Sequence, residues 1–246
     1  QAGFGQVERL GAGCDPARQA DQRDARQPHV RDEARPRPLV EDARDRRQRV
    51  GRDPQPEEAA RRGRRAFLGD DAPVKPPIRA YVGLKSADSF EAEADLAVRE
   101  LVRTGAFDRK VLVVASATGT GWIDPDASES IEMMYGGDTA IVSMQYSFLP
   151  SWISFITDLD KAADAGSLLY DAVHRHWASL PADQRPKLIV FGLSLGSYGA
   201  ESAFAGLDAR SSIANLAARS DGAMFVGPTD GNPIHRQLTA DRAPTS

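Results

Sequence analysis

The sequence predicts an α/β fold, in which a mostly parallel β-sheet is flanked by helices and preceded by a disordered tail rich in Arg and Asp. From about residue 76, strand-like apolar runs alternate with amphipathic helical segments, which is typical of βαβ units. One of these runs, at 110–116, is almost entirely apolar, as a strand covered on both faces is. Residues 1–75, by contrast, contain no Ser, Thr, Asn, Ile, Tyr, Trp or Met.

This contrast divides the chain into a low-complexity tail, residues 1–75, and a folded domain, residues 76–246. The tail consists mostly of Arg, Asp, Glu, Ala, Gln, Pro and Gly, as in RDEARPRPLVEDARDRRQRV. Such a composition cannot bury enough apolar surface to offset the chain entropy, so we predict disorder or an isolated surface helix. Three interpretations of the tail stay open: a solvated linker, an RNA- or partner-binding tail, and off-frame translation of GC-rich DNA.

The composition of the chain excludes several classes of protein. A formal net charge of −4 predicts no attraction to nucleic acid or to an anionic membrane surface. The single cysteine, Cys14, can form neither an intramolecular disulfide nor a cysteine-based zinc site. No run of about 18 apolar residues occurs, so we expect no transmembrane helix in this chain. We expect neither a metal nor a cofactor.

The individual elements follow from local patterns. Strands are predicted where short apolar runs lie between turn signals, at 78–84, 110–116, 139–146, 187–193 and 222–228. A helix capped by Asp88, with Glu91 completing a capping box, is predicted to end at Gly105. Further helices are predicted from an apolar period of 3.6 residues, at 160–179 and 197–207.

The strand at 187–193 runs directly into Gly192-Leu193-Ser194-Leu195-Gly196 and then into a helix. This is a G-x-S-x-G nucleophile elbow in the strand–turn–helix context that the motif requires. Such a turn presents the Ser194 hydroxyl at the carboxyl end of the sheet, while Gly192 and Gly196 let strand and helix approach closely. The Leu195 N–H, at the start of the helix, is a predicted oxyanion donor. The competing explanation is that Ser194 merely caps a helix.

A second oxyanion donor is expected from the loop after an earlier strand. The glycine-rich segment that follows the strand at 110–116 is the candidate, and its predicted donors are Thr118, Gly119 and Thr120. The alternatives are an ordinary turn and a phosphate-binding loop. The segment lacks the third glycine of a dinucleotide fingerprint, the strand ending at Gln145 and Tyr146 offers no acidic residue for a ribose, and no Walker lysine follows.

Apolar side chains at the end of the strand at 139–146, and just beyond it, are candidates for an acyl pocket or a lid. They are Met144, Tyr146, Phe148, Leu149, Trp152 and Ile153. The competing explanation is that they pack in the core and between elements.

The base and acid of a catalytic triad are harder to assign. In this motif the chain order is Ser, acid, His, each after a later strand. Only one predicted strand follows Ser194, so three candidates come too early: Asp221, Asp230 and His235. His174 and His176 lie two residues apart on one helix and therefore on different faces, which favours surface residues over metal ligands. We expect the chain to stop before the residues that complete a triad.

Three segments carry a resemblance: IRAYVGLKSADSFEAEADLAVRELVRTGAFDRKVLVVASATGTGWIDP, YGGDTAIVSMQYSFLPSWISF and KLIVFGLSLGSYGAESAFAGL. Over residues 76–246 the chain resembles a bacterial, largely actinobacterial α/β-hydrolase family. Members of this family couple a multi-pass N-terminal membrane domain to a C-terminal catalytic domain. The resemblance implies an α/β-hydrolase fold that is incomplete at its C-terminal end, with Ser194 as nucleophile and Gly119–Trp122 as the family's Gly-Thr-Gly-Trp loop.

The resemblance also implies an activity. We expect a serine hydrolase that acts on small-molecule ester or lipid-like acyl substrates through an acyl-serine intermediate. Association with a membrane is expected only through a domain that this chain lacks. The competing hypothesis is a non-enzymatic remnant or interaction module that retains the α/β-hydrolase core.

Overall fold

The computed structural model describes residues 54–69, 71–149 and 159–242. Its strands are β1 (Ile78–Val82), β2 (Val111–Ser116), β3 (Thr139–Met144), β4 (Lys187–Leu193) and β5 (Gly222–Val226). The α-helices in these ranges are α1 (Pro54–Leu68), α2 (Phe90–Thr104), α3 (Pro125–Met134), α4 (Leu159–Ser179), α5 (Leu195–Ser202), α6 (Ala209–Arg219) and α7 (Pro233–Ala240). The strands form one parallel sheet in the order β1-β3-β2-β4-β5. The predicted α/β architecture is therefore confirmed.

Helices cover both faces of the centre of the sheet. Every residue of β2 and of β3 is buried. Because successive side chains of a strand point to opposite faces, Leu112 and Val114 pack with α2, α4 and α5, whereas Val111 and Val113 pack with α3. Strand β5 pairs with β4 and lies at one end of the described sheet. None of its residues is fully buried.

Helix α2 begins differently from the prediction. Ser89, not Asp88, is its N-cap, because the Ser89 Oγ accepts a hydrogen bond from the Ala92 N–H at 3.2 Å. The predicted capping box with Glu91 is therefore wrong. Ser and Asp cap helices about equally well, so two adjacent candidates could not be ranked from sequence. The end of the helix is as predicted, with Gly105 in the left-handed conformation at φ 70°.

The helix after β4 is shorter than the predicted 197–207 and starts earlier. It begins at Leu195, directly after the bend at Ser194, and it ends at Ser202. The chain then turns, with the Phe204 N–H bonded to the Glu201 carbonyl at 3.0 Å, and the Phe204 side chain enters the core. The helix therefore ends two residues before a fully buried aromatic ring.

Three helices, α3, α6 and α7, were not predicted, although each has a start signal. Asp124 and Asn232 each precede a proline at the first helical position, and Asp208 forms a capping box with Ser211. These helices are 8 to 11 residues long. An apolar period of 3.6 residues repeats only two or three times over such a length, so it does not stand out in the sequence. None of the helices in the described ranges combines the length and hydropathy that crossing a bilayer requires.

The predicted tail is described only from Pro54 onward. Residues 1–53, including Cys14, lie outside the described residues. From Pro54 to Leu68 the chain forms α1, as in the surface-helix alternative. This helix is not isolated, because it contacts α3, and its Arg64 side chain is buried beside Gly137.

Replacing Arg79 by alanine is expected to lower the free energy of unfolding by about 1–2 kcal/mol. Arg79 on β1 donates hydrogen bonds from Nε and Nη2 to the two carboxylate oxygens of Glu132 on α3, at 2.6 and 2.9 Å. These bonds raise the pKa of Arg79. The Glu132 side chain is 4% exposed, so the substitution leaves a buried carboxylate without its partner. The Arg79 side chain is 53% exposed, and solvent screening therefore keeps the effect below that of a fully buried pair.

Arg103→Ala is the matched control for this prediction. Arg103 makes the same two-pronged pair with Glu100, at 2.8 and 2.6 Å, on the surface of α2. Its removal should leave stability unchanged, because exposed ion pairs contribute little. Urea unfolding measures both variants, and equal effects of the two substitutions would contradict a special role for the Arg79–Glu132 pair.

Candidate active site

A sharp bend joins β4 to α5 at Ser194. Ser194 has φ 53° and ψ −120°, and Lys85 is the only other residue besides glycine with a positive φ in the described ranges. A backbone of this kind costs an L-residue about 1–3 kcal/mol, and it persists only where the surroundings enforce it. The Ser194 side chain is exposed, whereas the next residue, Leu195, is buried. The bend therefore displays one hydroxyl at the carboxyl edge of the sheet.

Backbone hydrogen bonds hold the bend on both sides of Ser194. Its N–H donates to the Val226 carbonyl at the end of β5, at 2.8 Å. Its carbonyl accepts from the N–H and from the Oγ of Ser197, at 2.9 and 2.6 Å. Ser194 occupies the N-cap position of α5, yet its side chain makes no capping hydrogen bond. A simple helix-cap role does not account for this serine.

Two glycines allow the close packing around the bend. A Cβ atom on Gly192 would lie 2.6 Å from the carbonyl carbon of Gly196 and 2.7 Å from the Cα of Ser197. A Cβ atom on Gly196 would overlap the Ser116 carbonyl oxygen at the end of β2. Neither glycine has a positive φ, so close approach of backbone to backbone, rather than conformational freedom, requires glycine here.

The loop after β2 starts beside the bend, because Gly196 packs on the Ser116 carbonyl. Inside this loop the Thr118 N–H donates to the Trp122 carbonyl at 3.0 Å, and the Gly121 N–H donates to the Thr118 carbonyl at 2.6 Å. The Thr118 N–H is therefore occupied within the loop. Of the three predicted donors on this loop, Gly119, which is buried, and Thr120, which is exposed, remain as candidates.

Gln145, which the sequence analysis did not identify as a site residue, connects three loops at the carboxyl edge. Its Oε1 accepts a hydrogen bond from the Leu84 N–H at 3.3 Å. Its Nε2 donates to the carbonyls of Thr120 and Ser147, at 3.0 and 2.9 Å. The side chain thus links the loops that follow β1, β2 and β3. Its position directly after a central parallel strand is the signal that could have identified it.

The predicted acyl-pocket cluster is divided by the structure. Met144 and Tyr146 are buried in the main core, as the packing explanation has it. Phe148 and Leu149 are 60% and 38% exposed. Trp152 and Ile153 lie outside the described residues. One further aromatic residue is exposed on the loop after β2, Trp122, at 47%.

Asp221 and Asp230, which come early in the chain for the acid of a triad, lie at different edges of the sheet. Asp221 accepts a hydrogen bond from the Leu188 N–H at 2.8 Å, near the amino end of β4. Leu188 and Ser194 are separated by the length of this strand, so Asp221 is about 20 Å from the bend. Asp230 is exposed on the loop after β5, at the carboxyl edge.

None of the described histidines hydrogen-bonds to the Ser194 side chain. His174 on α4 lies against the rings of Tyr170 and Trp177, and burial lowers its pKa. His176 packs on a phenylalanine ring, and His235 lies on α7. The structure shows no hydrogen bond between any of these side chains and Ser194. In the described ranges, no three His, Cys, Asp or Glu side chains come together as a metal site would need.

Two surface clefts in the described part of the chain lie elsewhere. One is formed by α1 and α3 and includes Phe67 and Met133. The other includes Trp177 and Asp221, at the amino edge of the sheet. Ser194 lines neither, so the bend, rather than either cleft, defines the candidate site.

Comparison with known proteins adds one finding to this geometry. Residues 78–246 match a family model that is described as an alpha/beta-hydrolase family. This match covers all five strands and the bend at Ser194. No curated protein matches the chain.

Proposed function

The chain belongs to this alpha/beta-hydrolase family, and from that premise we propose that it is a serine hydrolase with Ser194 as the nucleophile. Membership of the family supports hydrolase activity in general. The serine nucleophile and an ester or lipid-like acyl substrate are the further proposal. The observation that carries it is the bend, where an exposed serine is held at φ 53° between a buried strand and a helix.

In the proposed reaction, Ser194 Oγ attacks the carbonyl carbon of the ester and its proton passes to a general base. The electron pair of the carbonyl bond moves onto oxygen, and the N–H groups of Leu195 and of Gly119 or Thr120 stabilise this oxyanion. When the intermediate collapses, the alcohol leaves and takes up the proton. Water then attacks the carbonyl carbon of the acyl-serine, the bond from that carbon to Ser194 Oγ breaks, and a proton of the water passes to Oγ as the acid is released. The Leu195 N–H suits the role because the first N–H groups of a helix have no intrahelical acceptor.

Exposed apolar side chains at the carboxyl edge of the sheet support an apolar acyl group as the substrate. Trp122, Phe148 and Leu149 are exposed on the loops that follow β2 and β3. These loops leave the carboxyl edge, where Ser194 lies. Large side chains that stay exposed in this region offer apolar surface to an acyl chain, and each buried methylene contributes about 0.8 kcal/mol.

Replacing Phe148 by alanine is therefore expected to change the preference for acyl length. The ratio of kcat/KM for p-nitrophenyl octanoate to that for the acetate should fall by about 3- to 10-fold, because the longer chain loses an apolar contact and the acetate does not. Phe67→Ala is the matched control, since Phe67 is 64% exposed but lies on α1 beside α3. Equal ratios in the two variants would contradict a role for Phe148.

A fluorophosphonate probe tests the proposed function directly. The full chain is incubated with the probe, digested, and the labelled peptide is identified by mass spectrometry. Labelling at Ser194 together with hydrolysis of p-nitrophenyl butyrate supports a serine hydrolase. The competing candidate is an interaction module, favoured by the finding that no described residue hydrogen-bonds to Ser194 Oγ. A chain that is folded, yet neither labelled nor active, would contradict the proposed serine hydrolase.

A further inference from the structure

We propose that Ser197, Asn232 and Glu201 are positioning residues that aim the Leu195 N–H at the reacting carbonyl oxygen. They would do so by holding the carbonyl of Ser194 in one orientation. This inference rests on the proposed function of Ser194 and deepens it, because it assigns the part of the molecule that orients the oxyanion donor.

The three side chains form one buried chain of hydrogen bonds. Ser197 is 0% exposed, and Asn232 and Glu201 are each 1% exposed. The Ser197 Oγ lies 2.6 Å from the Ser194 carbonyl oxygen. The Asn232 Nδ2 lies 2.9 Å from that Oγ and 3.0 Å from the Glu201 Oε1. The network therefore runs from a buried carboxylate to the backbone of the bend.

The direction of each hydrogen bond follows from the chemistry of the donors. The Thr229 N–H lies 3.0 Å from the Asn232 Oδ1, which identifies this atom as the oxygen of the amide. The Nδ2 of Asn232 can only donate, so Ser197 Oγ must accept from it. The single hydrogen of the Ser197 hydroxyl is then left for the Ser194 carbonyl. Asn232 thus fixes which way the hydroxyl of Ser197 points.

Glu201 holds Asn232 in place. Its Oε2 accepts from the backbone N–H groups of Ile234 and His235, at 2.8 and 3.1 Å, at the first turn of α7. A buried carboxylate with three N–H donors is a strong and directional anchor. The loop after β5 and the start of α7 are in this way attached to α5, directly beside the bend.

The consequence for catalysis comes from the planarity of the peptide bond. The carbonyl of Ser194 and the N–H of Leu195 belong to the same trans peptide, and they point in opposite directions. Two donors from Ser197 turn the carbonyl toward the helix. The Leu195 N–H must then point away from the helix, on the side where the Ser194 hydroxyl is displayed. A rotation of this plane would misdirect the N–H without moving any side chain that touches substrate.

Ser197→Ala tests the positioning role, with Ser202→Ala as the matched control. Ser202 lies on the same helix, and its Oγ makes a similar hydrogen bond to the Tyr198 carbonyl, at 2.8 Å, away from the bend. In the full chain labelled with ¹⁵N-leucine, residual dipolar couplings report the direction of the Leu195 N–H. We expect this vector to rotate in Ser197→Ala and to stay unchanged in Ser202→Ala. An unchanged vector in Ser197→Ala overturns the proposal, whether or not the chain is an enzyme.

Kinetics supply the functional readout. Ser197→Ala should lower kcat for p-nitrophenyl butyrate and the rate of fluorophosphonate labelling by about tenfold, with KM unchanged, because an oxyanion donor acts mainly in the transition state. Ser202→Ala should alter neither constant. A fall in labelling that merely follows a fall in thermal stability in both variants would show a structural role and contradict the proposal.

Asn232→Ala provides a second variant if Ser197→Ala does not fold. It removes the donor to Ser197 Oγ without placing a second carboxylate beside the buried Glu201. We expect the same rotation of the Leu195 N–H and the same loss in kcat. Failure of the parent chain to label at Ser194 would contradict the proposed function, whereas normal labelling in both variants would contradict only the positioning role.

Discussion

Replacing Ser194 by alanine is expected to abolish fluorophosphonate labelling and to lower the hydrolysis of p-nitrophenyl esters by a factor on the order of 10³ or more. The reason is that no other atom in the described site can form the acyl intermediate from that position. The backbone at Ser194 keeps its bend with alanine, since the hydroxyl makes no capping hydrogen bond. The thermal midpoint of the variant should therefore equal that of the parent chain.

Ser86→Ala is the matched control for this substitution. Ser86 is likewise exposed, and it lies on the loop after β1, at the same edge of the sheet. Its replacement should leave labelling and hydrolysis unchanged. Labelling that persists in Ser194→Ala would exclude Ser194 as the nucleophile, whatever the activity of the chain.

Replacing Gly192 by alanine is expected to destabilise the protein by about 3 kcal/mol or more. The three atoms nearest to the added methyl group are backbone atoms of Gly196 and Ser197, and backbone cannot move aside as the end of a flexible side chain can. The whole start of α5 would have to shift, which also displaces Ser194. Urea unfolding measures the effect, and a variant that accumulates only as insoluble protein also fulfils the prediction.

Gly222→Ala is the control, because it adds the same methyl group to a strand of the same sheet. Its Cβ atom would lie 3.3 Å from the Cδ1 of Ile189, a mobile side-chain atom. The expected cost is below about 1 kcal/mol. Equal losses of stability in the two variants would show that the requirement for glycine at position 192 is not steric.

Much of the architecture could be predicted because burial acts on strands in a simple way. The segment Val111–Ser116 is covered on both faces, and its residues are correspondingly apolar. The same reasoning identified the bend, since Gly192 lies near the end of a strong strand and Gly196 at the start of the helix that follows it. Helix ends were harder, because competing caps such as Asp88 and Ser89 differ by less energy than tertiary packing supplies.

The site itself could be predicted only where a local motif describes it. Gln145 joins loops that are 61 and 25 residues away in sequence, and Asn232 reaches Ser197 over 35 residues. No periodicity or short motif carries such contacts, since they arise only when the strands are placed side by side. The hydrogen bond that occupies the Thr118 N–H could not be predicted either, because it depends on how the loop after β2 closes on itself.

The hydrogen bond from the Ser194 N–H to the Val226 carbonyl couples the backbone of the proposed nucleophile to local opening of β5. The strand that carries Val226 has little buried surface, and such strands open locally long before the whole domain unfolds. Each opening releases the Ser194 amide to solvent and relaxes the enforced backbone. Hydrogen exchange at the Ser194 amide therefore reports how often the bent backbone is lost. Any surface that covers β5 would reduce this exchange and hold Ser194 in the bent conformation.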